Sequence, residues 1–353
     1  MTNLAMFLLN GPPDGNVQQG LKDLRFHILD CGIPANARDG MVSSQPPSGR
    51  RSDNQLTTSQ SELRIYIWLI LLNAEPVRTE MYLDLVRNGP SPAYTKIKND
   101  TFRTLATDPL FRNQVREFSL IRVLNAVAWK LLDAHEARVN GWQSPPTLSD
   151  DQPFRSRSSL TGTTATEGSQ SQAGDHAEAE QDGYVQGMNV LAAPFLYCAH
   201  SEAEAFVAFH KFITTECPGY VRGSMEGVHK GLALVDTVLN IVDPKLSMYL
   251  SSKGLNAEIY AFASLLTMSA CTPPLPEVLQ LWDFLFAYGS HLNILCIVAQ
   301  LVIIRDQILA SPSPNQILRS LPPLQAKKII SLVVANASKV PEDVYQQMID
   351  HAK

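Results

Sequence analysis

The sequence predicts an all-α protein. Apolar residues recur at helical spacing in segment after segment, and no stretch alternates apolar with polar residues at a period of two. Asn-Gly or Asp-Gly turns do not separate alternating runs, and no fixed-length repeat points to a solenoid.

The elements follow in order. Residues 63–73 are almost wholly apolar and predict a buried helix, and 79–87 place Tyr82, Leu83, Leu85 and Val86 among polar residues. Over 119–133, Leu120, Val123, Leu124, Val127, Leu131 and Leu132 share one helical face. Residues 189–198 are apolar, with Pro194 as a kink or break. Ser201 and Glu204 form a capping box that leads into an apolar helix. A helix over 228–242 stops before Asp243-Pro244. Helices are further expected over 257–268, 276–287, 292–309 and 325–335, and Pro341 opens a last one through Ile349.

Two segments lack hydrophobic periodicity. Residues 35–61 and 135–182 are rich in polar and small residues, cannot offset their ordering entropy by burial, and are expected to be disordered inserts. They divide one domain into an N-terminal part (1–34), a middle part (62–134) and a C-terminal part (183–353).

Composition narrows the function classes. With 45% hydrophobic and only 18% charged residues, 353 residues can bury a sizeable core. A net charge of −5 argues against nucleic acid as a partner, since that demands a basic stripe. Five cysteines without a C-x-x-C spacing disfavour a disulfide framework or a zinc site and point to reduced thiols in the cytosol or nucleus. The apolar run within 1–11 lacks a basic flank, so no signal peptide is expected, and 293–304 is too short to span a bilayer. His210, His229 and His291 have no metal-ligand spacing, and Cys271 has no evident histidine partner.

Four patches remain, in fixed order. Arg64 and Trp68 form an R-x-x-x-W run; Ile97, Asp100 and Arg103 form I-x-x-D-x-x-R; Tyr184 to Asn189 read Y-x-Q-G-M-N; Trp282-Asp283 follow. Together they resemble the TBC domain of Rab-type GTPase-activating proteins, over most of the chain from about Leu21. The stretches around KIKNDTFRT, YVQGMNVLAAPFLY and LWDFLFAYGSHLNIL are similar to the members that act in fungal mitotic exit and septation checkpoints.

The resemblance implies a Ras-like small GTPase as partner, with Arg103 as arginine finger and Gln186 as glutamine finger, both catalytic in trans. It also implies a second, non-TBC subunit and a cytoplasmic location at the spindle pole body. No cofactor is expected on this chain; GTP and Mg²⁺ belong to the partner. The chemistry suits these residue types. A planar guanidinium reaches two phosphate oxygens, and a carboxamide both accepts from the attacking water and donates to phosphate. Asp100, three residues before Arg103, is expected to hold its rotamer if the segment is helical. Gly187 is expected to allow close approach of the partner, Tyr184 and Met188 to fix the loop, and Asn189 to cap the next helix. Arg64 is expected in a surface pair, Asp283 as a cap or pair within its own helix, and Trp68, Trp129 and Trp282 in the core. The chain has no P-loop of its own.

Two alternatives stand beside this reading: a catalytically silent scaffold of the same fold that binds a GTPase or checkpoint partner, and an unrelated helical adaptor. One further expectation concerns 42–60. Its removal restores the short connection the family has between Gly32-Ile33-Pro34 and Arg64, and Val42-Ser43 and Gln60 can be encoded by typical intron ends, so the segment reads as a retained intron.

Overall fold

A computed structural model describes residues 11–12, 15–33, 63–106, 108–139, 183–222 and 224–353. Both expected inserts, and the intron proposed within the first, lie outside the described residues, with one correction. Residues 135–139 complete a long helix rather than opening the second insert.

Among the described residues there are nineteen α-helices and no strand. Before residue 140 come α1 (Val17–Asp30), α2 (Arg64–Leu71), α3 (Thr79–Arg87), α4 (Tyr94–Thr101), α5 (Pro109–Gln114) and α6 (Glu117–Val139). After residue 182 come α7 (Met188–Cys198), α8 (Glu202–Lys211), a π-turn (Phe212–Glu216), α9 (Pro218–Val221), α10 (Glu226–Val242), α11 (Pro244–Ser252), α12 (Ala257–Tyr260) and α13 (Phe262–Leu266). The chain ends with α14 (Leu275–Tyr288), α15 (Asn293–Ile303), α16 (Arg305–Ala310), α17 (Pro314–Arg319), α18 (Ala326–Ala337) and α19 (Glu342–Asp350).

Helix α7 is the axis of the molecule. It packs against α2, α4, α6, α8 and α14, which together cover it on all sides. Pro194 sits inside it without ending it. The missing N–H removes one rung, but burial of the whole turn around it holds the helix together. Next to it, the rings of Trp68, Phe195, Phe212, Trp282 and Phe286 stack and edge against each other with centroids 5.1–6.0 Å apart. Such contacts contribute about 0.5–1.5 kcal/mol per pair beyond burial. Trp129 departs from its core assignment: it is half-buried and its indole N–H donates to the Gly89 carbonyl at 2.9 Å.

Helix boundaries follow capping chemistry. The Ser201 hydroxyl accepts from the Glu204 amide at 3.3 Å, but Glu204 returns to the His200 amide at 2.8 Å, one residue earlier than a regular capping box. The expected single helix over 257–268 is broken at Ala261, because the Asp236 carboxylate on α10 accepts from both the Ala257 amide and the Tyr260 hydroxyl and sets α12 on its own axis. The expected helix over 292–309 also divides, at Ile304, where Arg305 pairs with Asp243 at 2.5 Å. Pro341 is the residue before α19 rather than within its first turn.

Candidate functional site

Two segments build the site. The first is the end of α4 and the turn after it. Ile97 is fully buried and seats α4 against α6. The helix ends at Thr101, so Arg103 lies in the following turn. It is still within reach of the last helical turn, and its Nη2 donates to Asp100 Oδ1 at 2.5 Å. Asp100 is buried while the Arg103 side chain is 57% exposed, so the guanidinium is anchored at one edge and open to solvent at the other.

The second segment is the loop into α7. Tyr184 is buried, and its hydroxyl donates to Asp100 Oδ2 at 3.0 Å. Burial, then the Asp100 carboxylate, push the phenol well above its ordinary range, so it stays a donor. Each Asp100 oxygen thus has its own partner, one from each segment. Asn189 ties them a second time. Its Nδ2 donates to Thr104 Oγ1 at 2.8 Å and, more weakly, to the Asp100 carbonyl at 3.4 Å. Its Oδ1 accepts from the Gly187 amide at 3.1 Å.

Between Tyr184 and Asn189 the chain must turn outward. Gly187 makes this turn at φ +105°, and a Cβ there would sit 2.9 Å from Leu266 Cδ2. Backbone conformation and an internal neighbour therefore both require glycine here. Met188 closes the turn by accepting from the Val185 amide through its sulfur at 3.2 Å. Gln186 stands at the apex: its neighbours Val185 and Gly187 are buried, and it alone is exposed.

Several expectations are corrected here. Asn189 does not cap α7; Gly187 occupies that position, and Asn189 cross-links the two segments from inside the helix. Thr104 was not legible as a site residue, although its place four residues after Asp100 lets its hydroxyl bond back to the Asp100 carbonyl at 3.1 Å. Arg64 is not at the surface. It is 4% exposed, and its Nε and Nη2 grip Asp283 at 3.0–3.2 Å across helices, with Nη2 also reaching the Ile33 carbonyl at 3.3 Å. The Trp68 indole adds a donor to Asp283 at 2.8 Å. Burial is the largest single influence and lowers the Arg64 pKa, but the charge and hydrogen bonds of Asp283, with smaller contributions from Cys198 and Tyr197, together outweigh it, so the pKa is raised and the guanidinium remains charged. Arg64, Trp68 and Asp283 thus fasten α2 to α14, and the Trp282 indole fastens the other face of α14 to the Met268 carbonyl at 2.9 Å.

Among the described residues there is no group of three or more metal-binding side chains, and no helix is long and apolar enough to cross a membrane.

Comparisons with known proteins place this geometry. Residues 177–309 match the family model for the Rab-GTPase-TBC domain. Cell division control protein 16 of Schizosaccharomyces pombe is 42% identical over 83% of this chain and 81% of its own length. Mitotic check point protein BUB2 of Saccharomyces cerevisiae is 36% identical over 98% of this chain and 95% of its own. Among solved structures, the Chlamydomonas flagellar RabGAP TBC domain superposes with a TM-score of 0.56 at 16% identity, covering 92% of this chain and 93% of that one, and shares the fold. With relatives of this identity aligned over nearly their full length, and an all-helical fold that carries both motifs, the chain belongs to the Rab-GTPase-TBC domain family.

Proposed function

We propose that this chain accelerates GTP hydrolysis on a Ras-like small GTPase by presenting Arg103 and Gln186 to the γ-phosphate in trans. Membership of the family makes a small GTPase the partner. One observation carries the assignment of the two fingers. An open guanidinium and an open carboxamide sit on separate segments that Asp100, Tyr184, Asn189 and Thr104 clamp together from beneath.

The division of labour follows from charge. In the transition state negative charge spreads over the phosphoryl oxygens and the attacking and leaving oxygens, and a guanidinium compensates it bidentately. The carboxamide of Gln186 orients the attacking water by accepting from it while donating to a phosphate oxygen. Asp100 takes one edge of the guanidinium and leaves the other for phosphate. The nucleotide and Mg²⁺ arrive with the GTPase, which leaves this chain with no cofactor of its own to hold.

The names of the relatives, a cell division control protein and a mitotic check point protein, support a role in mitotic-exit and septation checkpoint control. A second, non-TBC subunit and a cytoplasmic position at the spindle pole body complete the proposal.

Single-turnover hydrolysis on GTP-loaded candidate GTPases tests it. Arg103→Ala is expected to lower the stimulated rate by about 10³-fold and Gln186→Ala by about 10²-fold or more, with unchanged melting temperatures. Equal rates for both variants and the wild type would leave only a silent scaffold.

A further inference from the structure

Phe102 stands immediately before Arg103 with 66% of its surface exposed. A single exposed apolar side chain is ordinary on a protein surface. What distinguishes this one is the turn that carries it. Thr101 and Thr104, which flank the pair, are buried. The Thr101 hydroxyl donates to the Lys98 carbonyl at 3.2 Å, the Thr104 amide to the Thr101 carbonyl at 3.0 Å, and the Thr104 hydroxyl to the Asp100 carbonyl at 3.1 Å. Asn189 holds Thr104 from the second segment at 2.8 Å. Leu105 then turns the chain at φ +45°, a left-handed conformation in a residue with a Cβ, and the Asp108 amide donates back to the Leu105 carbonyl at 2.9 Å. The backbone is thus fixed on both sides of Phe102, and a preorganised aromatic loses little freedom on contact.

The position of Arg103 brings Phe102 into the same contact. Consecutive Cα atoms are only about 3.8 Å apart. A standard interface covers about 800 Å² on each partner, a patch roughly 30 Å across. A GTPase whose γ-phosphate meets Arg103 therefore covers Phe102 as well.

Charge states the chemistry of the covering surface. Phe102 has right-handed helical backbone angles and continues the geometry of α4, so Lys98, four residues earlier, shares its face. Over 88–116 the exposed charged residues are Lys96, Lys98, Arg103, Arg112 and Arg116, all cations. The two carboxylates of this stretch are buried. Asp100 lies beneath Arg103, and Asp108 accepts from the Phe111 and Leu275 amides at 3.0 and 3.2 Å. This concentration of positive charge runs against the formal −5 of the whole chain.

We propose that Phe102 is the apolar anchor on which the GTPase docks, seated in an apolar pocket of the partner whose rim carries carboxylates facing Lys98. The proposal rests on the GTPase reading above, through binding and not through hydrolysis. Phe102 is a positioning residue: it sets the affinity and register with which Arg103 meets the phosphate. Burying its ring removes apolar area from water, and the cations around it favour a negative rim and quicken encounter.

Binding is measured with the full chain on a panel of Ras-like GTPases, each loaded with a non-hydrolysable GTP analogue. Phe102→Ala is expected to weaken binding at least about tenfold, as truncation of an interface anchor does. Phe102→Leu is expected to recover most of that loss, and the stimulated rate at saturating Phe102→Ala to match the wild type. Lys98→Gln is expected to slow association at low salt and to match the wild type at high salt. Wild-type affinity in Phe102→Ala would overturn the anchor, and so would a lowered saturated rate with unchanged affinity, which would assign Phe102 to the presentation of Arg103. An association rate of the wild type that ignores salt would overturn the acidic rim. Binding that Phe102→Ala weakens, on a GTPase whose hydrolysis the wild type does not stimulate, would uphold the anchor while refuting the fingers. Unchanged melting temperatures separate each of these outcomes from misfolding.

Discussion

At the scale of single residues, Asp100 deserves the attention that its neighbour Arg103 attracts. An exposed ion pair contributes about 0–1 kcal/mol to stability, and the Arg103 side chain is 57% exposed. Their bond is therefore not what holds the fold. What Asp100 supplies is direction: it selects one arginine rotamer from a side chain with about 2 kcal/mol of rotamer entropy. Asp100→Asn keeps the size and an acceptor but loses the charge that grips the guanidinium. It is expected to slow stimulated hydrolysis about tenfold, the equivalent of roughly 1.4 kcal/mol, while leaving the melting temperature within a few degrees. Single-turnover kinetics beside a thermal melt read both; a large melting shift with intact catalysis would assign Asp100 to the core instead. Sequence spacing was enough to pair Asp100 with Arg103, because three residues apart on a helical turn is a local fact. It was not enough to find Thr104 or the inward role of Asn189, since both depend on a contact across more than eighty residues of chain.

At the scale of helices, two arginines in neighbouring motifs part company. Arg103 serves an open surface, whereas Arg64 is sealed between α2 and α14 against Asp283. A surface role for Arg64 was the reasonable expectation from a charged residue at the start of an apolar run, since burial of a charge is costly unless paired. The partner that makes burial tolerable lies 219 residues away, and no local pattern shows it. Removing one member of such a pair strands the other, at a cost of about 3–5 kcal/mol. Arg64→Leu is accordingly expected to destabilise the chain by that amount in urea titrations, with Arg103→Ala costing under about 1 kcal/mol. The reverse order would show that the two motifs had been assigned the wrong way round. Helix existence was legible from periodicity. The breaks at Ala261 and Ile304 were not, because the Asp236 and Asp243 contacts that set them come from other helices or turns.

At the scale of the whole molecule, the two halves either side of residues 140–182 are one fold. The axis helix α7 belongs to the second half and is wrapped by α2, α4 and α6 of the first together with α8 and α14 of its own. The C-terminus closes the other end. The Gly219 amide donates to the Ala352 carbonyl at 2.7 Å, and the Tyr220 hydroxyl meets His351 Nε2 at 2.8 Å. His351 Nδ1 donates to the Met348 carbonyl at 2.6 Å, which leaves Nε2 to accept from the tyrosine in the neutral ring. Burial depresses His351, and it pulls His210 and His291 down to about 4. Above pH 6.5 these rings are neutral in both states and cost nothing. Between 6.5 and about 4 the unfolded chain takes up protons that the folded chain refuses, so stability falls as pH falls. Melting temperatures measured from pH 7.5 to 4.5 are expected to drop across that window, and the His210→Gln and His291→Gln variants to flatten the slope. A flat wild-type profile would contradict it.

The central claim is that Arg103 and Gln186 converge on a foreign γ-phosphate, and a transition-state mimic addresses it most directly. The chain is incubated with a GDP-loaded Ras-like GTPase, with and without aluminium fluoride, and complex formation is read by pull-down. The account predicts a fluoride-dependent complex with the wild type that both Arg103→Ala and Gln186→Ala abolish. A complex that forms equally well with either variant would contradict it.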